Sequence, residues 1–582
     1  MNVTQTIKIN EKVVSDQFIF SIEINKCVNK ITNAIIKLLD GVPAKEDFKL
    51  SDSQDYIPGS PVIINIGYDS DESIVFSGYV VKQNLQTVSD GPLLILHCKD
   101  ESFKMAIGRK SDVFENITDS NLIKQLIENY SLTADVDSTS YENKEIVQWY
   151  CSDWDLMVMR AEVNGLIVIT DQNKVSVKKP NTSQSKIITL TYGKDIYDID
   201  VMADAKTQYS KVQANAWDIK SLQVINANAS DPSVSLPGNL SPSKMAEFSD
   251  KDVFSLQTTA NLEQTEIQNW ADACLLKSRL SFISGEVKFQ GNSAVLPGTI
   301  IELAGMGERF NGNAFVWEVT QTVEGGNWFT EVTLGADANW YTANTADIES
   351  PKAAGLLPGV SGLQNGIVKQ INSDPLNEFR VLVTLPLVNN KTVWARLCTT
   401  YATSNAGTYF FPEVGDEVLL GFFNEDPRFP VILGSMYSSS KQSPFTPEST
   451  NATKAIVSKN GVKIIFDDEK KALTIVTPQN NTIVLSDDEK SISLNDQNGN
   501  KIEMNSSGIT IQSASNIVLK ASENVNIEAT SNISIQATNA LDLKGLNVSG
   551  SADAQMVMKG EASSEFSASG EVTIKGAMVM IN

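Results

Sequence analysis

Histidine is almost absent from the sequence, which has 582 residues and a single histidine, His97. Any Ser/His/Asp or Cys/His catalysis, and any histidine-based metal site, would therefore have to use this one side chain. His97 lies within an apolar run, residues 93–98, that is typical of a buried strand. We therefore interpret it as a structural histidine, and its isolation argues against most hydrolytic and metal chemistry.

Cysteine is scarce and scattered, and long apolar runs are missing. The longest apolar runs, such as residues 418–423, are far shorter than the roughly 18–20 residues of a membrane-spanning helix. Residues 1–5 have no basic flank followed by an apolar segment, so we expect no secretory signal. The cysteine spacing includes no Cys-x-x-Cys and predicts free, mostly buried thiols in a reducing cytoplasm. The five cysteines are Cys27, Cys98, Cys151, Cys274 and Cys398.

Clusters of basic residues are also missing. The chain has 70 Asp and Glu residues against 47 Lys and Arg residues, which gives a formal net charge of -23. Nucleic-acid phosphates are bound by clustered Lys and Arg side chains, and the sequence has no such cluster. We therefore expect no nucleic-acid partner, and we attribute the acidity to solubility and to resistance against self-association.

The sequence does have length enough for several domains, beginning with a mixed region over residues 1–350. Within it, three apolar stripes at helical spacing predict helices over about 119–130, 153–165 and 262–280. The rest of the region has the short, glycine-punctuated apolar runs of β-strands. A stretch rich in small residues, 351–360, predicts a linker after this region.

Residues 361–440 predict a compact all-β module. Five short strands in about 80 residues are typical of a small Greek-key barrel of the OB type. Oligonucleotide binding by such a barrel needs a basic groove with stacking aromatics. Here Phe410, Phe411, Phe422 and Phe423 stand among acidic residues, so we interpret the module as structural. The predicted strands lie near residues 366–371, 380–385, 392–397, 417–423 and 430–433.

Residues 441–505, which we call the neck, contain pairs of apolar residues two positions apart, spaced by seven to ten residues. Such a pair is typical of a short strand with one buried face. Two acidic runs, 467–469 and 487–489, fall between pairs, and they could suggest a metal site or paired catalytic carboxylates. Because lysine follows each run, we interpret both as solvated turns. The pairs are Ile464/Phe466, Leu473/Ile475, Ile483/Leu485, Ile492/Leu494 and Ile502/Met504.

Residues 506–582, which we call the needle, carry such pairs at a regular spacing of eight, becoming irregular over 546–558 and recovering at Val572/Ile574. One chain would leave these short strands with open edges and too little core. Three copies wound together would close the edges and bury the pairs on a common axis. A single-chain parallel β-helix is the alternative, although its coils are normally of another length. The predicted core of the trimeric needle is Ile509, Ile511, Ile517, Leu519, Val525, Ile527, Ile533, Ile535, Leu541 and Leu543.

Several motifs resemble a known family. Residues 407–422, GTYFFPEVGDEVLLGF, continue over 426–437 as DPRFPVILGSMY. Upstream, SDWD stands at 152–155 and RAEVNGL at 160–166. These segments and the order of the modules resemble the VgrG family, the spike proteins of type VI secretion systems, which are related to the hub and needle of contractile phage tails. The resemblance covers nearly the whole chain.

The resemblance implies a mainly β, multidomain fold: a hub of β-barrels with a few helices, an OB-fold barrel and a C-terminal trimeric intertwined β-helix needle. It also implies a pseudo-sixfold hub face for a hexameric tube protein of the Hcp type, and contacts with baseplate proteins and with effectors and their adaptors. A small cone protein of the PAAR type would seat on the needle's end. The residues expected to bind that cone are Met578, Val579, Met580, Ile581 and Asn582.

The sequence departs from some relatives in ways that lead to further expectations. Only residues 438–455 lie between the barrel and the β-helical part, too few for the lysozyme domain of some phage needles, and we expect no toxin domain after the needle. The tip also lacks the histidines that hold a metal in several needles. We therefore expect no enzymatic activity, no metal and no cofactor.

We predict a trimeric structural spike of a contractile injection machine that punctures a target membrane and carries effectors. It would assemble in the cytoplasm and be translocated by sheath contraction. Other readings are the spike of an extracellular injection particle or phage-like tail, a tail fibre or adhesin, and a wall hydrolase within residues 201–350.

Overall fold

The computed structural model describes residues 2–42, 45–88, 91–249 and 253–581. The chain forms two compact units, Met1–Met436 (unit 1) and Tyr437–Asn582 (unit 2). About 40% of the residues lie in strands and 12% in helices, which confirms the predicted mainly β fold class. No helix in the described ranges is long and apolar enough to cross a membrane.

Unit 1 begins with seven antiparallel strands whose alternating apolar residues face one core. Ile24, Ile36, Ile64 and Leu94 are fully buried there. His97 lies in a strand as predicted, the last of these seven along the chain, and it is half-buried. Burial together with the neighbouring Lys82 lowers its pKa. The strands are β1 (Val3–Ile9), β2 (Lys12–Val13), β3 (Ile19–Cys27), β4 (Asn33–Leu39), β5 (Pro61–Tyr68), β6 (Asp71–Val88) and β7 (Gly91–Lys99).

A lobe with two helices follows these seven strands. The two predicted helices are confirmed, because the apolar stripes pack into one core and the preceding Thr118 and Ser152 accept hydrogen bonds from the backbone N–H groups of Asn121 and Asp155. The lobe comprises β8 (Lys110–Thr118), α1 (Asp119–Glu128), β9 (Thr133–Val136), β10 (Glu142–Cys151), α2 (Asp153–Val163), β11 (Ile167–Asp171) and β12 (Lys174–Lys178).

A second lobe surrounds the third predicted helix, which is also confirmed. Its apolar face, including Ile267 and Ala271, packs on a three-stranded sheet. The elements from here to the end of the region are β13 (Ile188–Thr191), β14 (Ile196–Ala203), β15 (Val212–Asp218), β16 (Gln223–Asn228), α3 (Pro242–Ala246), β17 (Phe254–Gln257), α4 (Gln264–Leu280), β18 (Ile283–Gln290), β19 (Ile300–Ala304), β20 (Gly312–Glu324), β21 (Asn327–Leu334) and α5 (Tyr341–Asn344).

One 13-stranded sheet joins two all-β halves of unit 1. Strands β1–β7 form the first half, and β13, β14 and β18–β21 form the second. The halves meet where β20 pairs antiparallel with β3, from Glu318 opposite Cys27 to Glu324 opposite Ser21. Each half has its own hydrophobic core, so one chain contributes two similar-sized β bodies.

A closed five-stranded barrel completes unit 1, in the strand order β22-β23-β24-β28-β27, which confirms the predicted barrel. Its core includes Val368, Val383, Val418, Leu420 and Ile432, all fully buried or nearly so. Closure matters because it leaves no unpaired strand edge. The barrel strands are β22 (Gln364–Gln370), β23 (Val381–Leu385), β24 (Lys391–Leu397), β27 (Glu417–Phe422) and β28 (Pro430–Ser435), and β25 (Ala402–Thr403) and β26 (Ala406–Gly407) form a separate two-stranded sheet.

The predicted linker contacts this barrel. The backbone N–H of Val360 donates to the carbonyl of Glu425 at 2.8 Å, and the ammonium of Lys352 lies 3.4 Å from the Glu425 carboxylate. Ala353 is buried. The boundary between the two units, at Met436/Tyr437, falls close to the predicted end of the barrel at residue 440.

Unit 2 contains a seven-stranded antiparallel sheet in which every strand pairs with the next one along the chain. The sheet extends to Gln512, seven residues beyond the predicted end of the neck, because Gly508–Gln512 pairs with the preceding strand. Its strands are β29 (Thr453–Val457), β30 (Lys463–Asp467), β31 (Ala472–Val476), β32 (Thr482–Ser486), β33 (Ser491–Asn495), β34 (Lys501–Asn505) and β35 (Gly508–Gln512).

Candidate functional site: an apolar ladder in unit 2

The strand register places the apolar pairs of the neck directly opposite one another. Ile483, for example, faces Ile475 on one side and Leu494 on the other. The result is two parallel columns on one face of the sheet, which we call the apolar ladder. Its members are Ile464, Ile475, Ile483, Leu494, Ile502 and Ile511 in one column, and Phe466, Leu473, Leu485, Ile492, Met504 and Ile509 in the other.

Turn length explains the uneven spacing of these pairs in the sequence. Each strand from β29 to β35 has five residues, whereas the turns alternate between five residues, as in 477–481, and four, as in 487–490. The last turn, 506–507, has two residues and is a tight hairpin. The pairs therefore stay in register although their separation along the chain varies.

Most of the ladder is exposed in the single chain, and Ile464, Leu473 and Ile475 are half-buried. Its side chains from Ile483 to Met504 are 36% to 41% exposed, and Ile509 and Ile511 are 69% and 59% exposed. The opposite face, which we call the polar face, is mostly polar: Thr474, Ser493 and Glu503 lie there together with Ile465 and Val484. An antiparallel sheet with one apolar and one polar face normally buries the apolar face, so this face needs a cover that unit 2 of one chain does not supply among its described residues.

Charged and polar side chains lie on the other face of the sheet and stabilise its turns. A hydrogen bond from Lys501 lowers the pKa of Glu503. In the turn 496–500, the backbone N–H groups of Asn498 and Asn500 donate to Asp496 at 2.9 and 2.8 Å, and these bonds lower its pKa. The polar face is therefore suited to water.

The two acidic runs lie in turns of the sheet, as predicted. Asp468 forms an ion pair with Lys454, and the backbone N–H of Lys470 donates to Asp467 at 3.0 Å. Within the described ranges, no group of three or more His, Cys, Asp or Glu side chains is placed to hold a metal ion.

The five cysteine thiols form no disulfide. Only Cys398 is exposed, and burial raises the pKa of Cys274 to about 11.

The needle residues continue the apolar pattern without any partner in the chain. Residues 513–581 form no helix and no strand pairing, and from 514 to 581 every residue is exposed. Of the predicted core, Ile509 and Ile511 join the ladder, whereas the other eight are 53% to 73% exposed and are not brought together: Ile517, Leu519, Val525, Ile527, Ile533, Ile535, Leu541 and Leu543.

This arrangement gives no support to a single-chain β-helix. That fold would need backbone pairing between successive coils of one chain, and residues 513–581 have none. The predicted cone-binding residues are likewise uncovered. Met578, Met580 and Ile581 are 79% to 87% exposed and Val579 is 50% exposed, while Asn582 lies outside the described residues.

Three family models match the chain. The Alg8 N-terminal domain matches residues 1–325, and the type VI secretion system/phage-baseplate injector OB domain matches residues 364–437. The phage baseplate V C-terminal trimerisation domain matches residues 472–532, which includes most of the ladder. The second and third of these matches make the chain similar to VgrG-like spikes of phage-tail-like injection machines, and the third gives it a trimerisation domain.

The model of the Alg8 N-terminal domain covers more than half of the 582 residues, and the chain belongs to the family that this model describes. The resemblance to VgrG proteins is confirmed as well. Over 110 residues, the chain is 30% identical to the type VI secretion system spike protein VgrG1c of Pseudomonas aeruginosa. That stretch is 17% of this chain and 15% of the relative, so the match spans a small part of the curated protein.

Solved structures of low identity match larger parts of the chain. A 43 kDa tail protein of a Shewanella oneidensis prophage is 11% identical, with a TM-score of 0.44, over 57% of this chain and 98% of that one. The Francisella PdpA-VgrG complex gives 11% identity and a TM-score of 0.36 over 88% of this chain and 80% of that one. No residue role is transferred from these structures.

Proposed function

We propose that three copies of this chain form the spike at the tip of a contractile injection machine, with their C-terminal units wound into one needle. The exposed apolar ladder carries this proposal, because a soluble sheet does not leave two columns of large apolar side chains in water. Covering them with the same surface of two other copies also gives the needle residues their missing strand partners. The match of residues 472–532 to a trimerisation domain supports the same stoichiometry.

The solution mass of the purified full-length chain tests this proposal. A trimer has a mass of about 190 kDa, three times the 63.4 kDa of one chain, and light scattering on a size-exclusion column measures it directly. A monomer at micromolar concentration would mean that the ladder has another cover, and the spike proposal would then fail.

Unit 1 would seat on a hexameric tube protein of the Hcp type. Each copy supplies two all-β halves joined through β3 and β20, so three copies present six such bodies around the axis. Six bodies match the symmetry of a hexameric ring, which supports this docking. Mixing the trimer with a purified tube protein and imaging the particles would test it, and rings stacked on the needle end instead would contradict it.

The other end of the needle would bind a cone protein of the PAAR type. The last described residues, 578–581, are apolar and exposed, and an uncapped strand edge with such side chains needs a cover. A cone protein should therefore co-purify with the full-length trimer, and Ile581→Asp should reduce that binding. The matched control is Thr573→Asp, which lies farther from the end.

In this role the chain has a mechanical task and needs neither a metal nor a cofactor. It would assemble with baseplate proteins in the cytoplasm, carry effectors with their adaptors, and cross the target membrane when the sheath contracts. We infer that it is not an enzyme, and peptidoglycan zymography is the direct check: a cleared band at its mass would refute this inference.

A further inference from the structure

The backbone from 513 to 581 bends at regular intervals. The bends begin at residues 514, 522, 530, 538 and 546, and then at 553, 561, 569 and 577. Every step is eight residues except the step from 546 to 553, which is seven. The bend at Leu546 involves one residue, whereas each of the others involves two.

The apolar pattern has the same discontinuity. Leu541 begins the last pair of the first block, and Val548 follows it after seven residues instead of eight. From Val548 onward the same positions recur every eight residues to the end. The region that looked irregular over 546–558 is therefore a second block of the same repeat, displaced by one residue. Two of its pairs are wholly apolar and three have one apolar member: Val548/Gly550, Met556/Met558, Ser564/Phe566, Val572/Ile574 and Met580/Asn582.

Local geometry favours glycine just before the shortened coil and within it. A Cβ atom at Gly545 would lie 3.1 Å from the carbonyl oxygen of Asn547, and one at Gly550 would lie 3.0 Å from the terminal methyl of Met556. A Cβ atom at Gly576, before an ordinary bend, would have the same 3.1 Å contact with the carbonyl oxygen of Met578. Contacts of that length are tighter than ordinary packing. The side chain of Met556 thus occupies the space that a larger residue at position 550 would need.

A uniform repeat has a register problem. If all coils had eight residues, one copy could loop out a coil and slip by eight against its neighbours, and every apolar pair would still face the axis. One seven-residue coil removes this degeneracy. After one copy slips by eight residues, its short coil lies at a different level from the short coils of the other two copies. Between these two levels, the slipped copy is displaced by one residue relative to the others. Because the side-chain period is two, its polar residues then face the axis there.

We propose that the seven-residue coil, residues 546–552, sets the register of the three copies in the needle. The partner is a second and a third copy of this chain, since only an identical copy has its short coil at the same level. This proposal rests on the proposed trimeric needle and adds to it a specific element that aligns the three ends.

The test uses the full-length chain and three variants. In the first, a serine inserted between Asn547 and Val548 lengthens the coil to eight residues. In the second, residues 525–532 are duplicated, which adds a whole coil and leaves the short one intact. The third combines the insertion with deletion of Ser531 and Ala529→Gly, which moves a short, glycine-preceded coil two repeats toward the neck.

Mass from light scattering and the rate of proteinase K cleavage after residue 548 are the readouts. We expect trimers throughout, with cleavage at least about tenfold faster in the first variant, because cleavage follows the population of misaligned ends. The second and third variants should be protected like the unaltered chain.

Equal protection of the first variant would overturn the register proposal, since a uniform repeat would then align as well. Failure of the third variant to restore protection would also overturn it, because the defect would come from the insertion itself. A monomeric unaltered chain would instead overturn the proposed trimer, and the register proposal with it.

Discussion

A single carboxylate holds the loop between β22 and β23 of the barrel. Asp374 accepts hydrogen bonds from the backbone N–H groups of Leu376, Glu378 and Arg380 at 2.8–3.2 Å. The Arg380 guanidinium also donates to it, the shortest contact being 2.6 Å. The bond from Arg380 lowers the pKa of Asp374 well below its usual range, and the backbone donors contribute.

The stability of the barrel should consequently depend on pH in a predictable direction. Because the pKa of Asp374 is lower in the folded state, its contribution is fully present above the unfolded pKa of about 3.9 and is lost as the pH falls further. Hydrogen exchange of residues 364–435, corrected for intrinsic rates, should show Asp374→Asn less protected at pH 7. The difference from the unaltered chain should shrink below about pH 4.

The control for this prediction is Glu378→Gln. Glu378 lies 3.8 Å from Arg380 but is 59% exposed, so its removal should change protection much less. A deficit of Asp374→Asn that stayed constant down to pH 3 would mean that the carboxylate charge is not what stabilises the loop.

At the scale of residues, the sequence predicts those features whose residues are close together in the chain. The caps Thr118 and Ser152 stand next to the apolar stripes they precede, and both helices begin within one residue of the cap. The role of Asp374 has no such signal, because it depends on three N–H groups that converge only when the loop is folded.

At the scale of elements, the sheet of unit 2 has an apolar face and a polar face. Substitutions at two neighbouring residues can test the two faces separately. Leu494 belongs to the apolar ladder, whereas Ser493 lies on the polar face. A lysine at 494 would bury three ammonium groups without partners in the trimer, which is strongly unfavourable. We expect Leu494→Lys to abolish the 190 kDa species and Ser493→Lys to retain it, as measured by light scattering. If the two variants had the same mass, the trimer interface would lie elsewhere than on the apolar ladder.

The pairs of the neck were visible in the sequence, but their alignment was not. Register depends on alternating turn lengths, and positive φ angles at Lys471, Asn480 and Lys490 allow these tight turns. Lysine is an uncommon residue for such a conformation, so the turns gave no clear signal. The short coil at 546 was missed for a related reason: one absent residue looks like a loss of pattern until the bends are seen.

At the scale of the whole molecule, the needle matters for association. Outside the seven-stranded sheet, most of the exposed apolar surface of unit 2 lies in residues 513–581. A chain ending at Gln512 keeps the seven strands and loses this part of the interface. We expect its trimer to dissociate on dilution to about 1 µM, while the full-length trimer persists at nanomolar concentration, because association strength follows the buried apolar area. Mass photometry over a dilution series would measure both, and equal persistence would mean that the needle adds nothing to association.

The mainly β fold class and the five-stranded barrel could be predicted from sequence, whereas the joining of the two all-β halves could not. The pairing of β3 with β20 links residues almost three hundred positions apart, and neither strand carries a mark of its partner. Long-range pairing of this kind is set by the packing of the whole unit.

The apolar ladder and the needle follow unit 1 in the sequence, which affects the order of events during synthesis. Domains fold as they leave the ribosome, N-terminal first, so unit 1 can be complete while the ladder is still being made. The surface most prone to aggregation is thus exposed last and for the shortest time before other copies arrive. Neighbouring ribosomes on one message would release such chains close together, and trimer yield should then rise with translation density rather than with total protein alone.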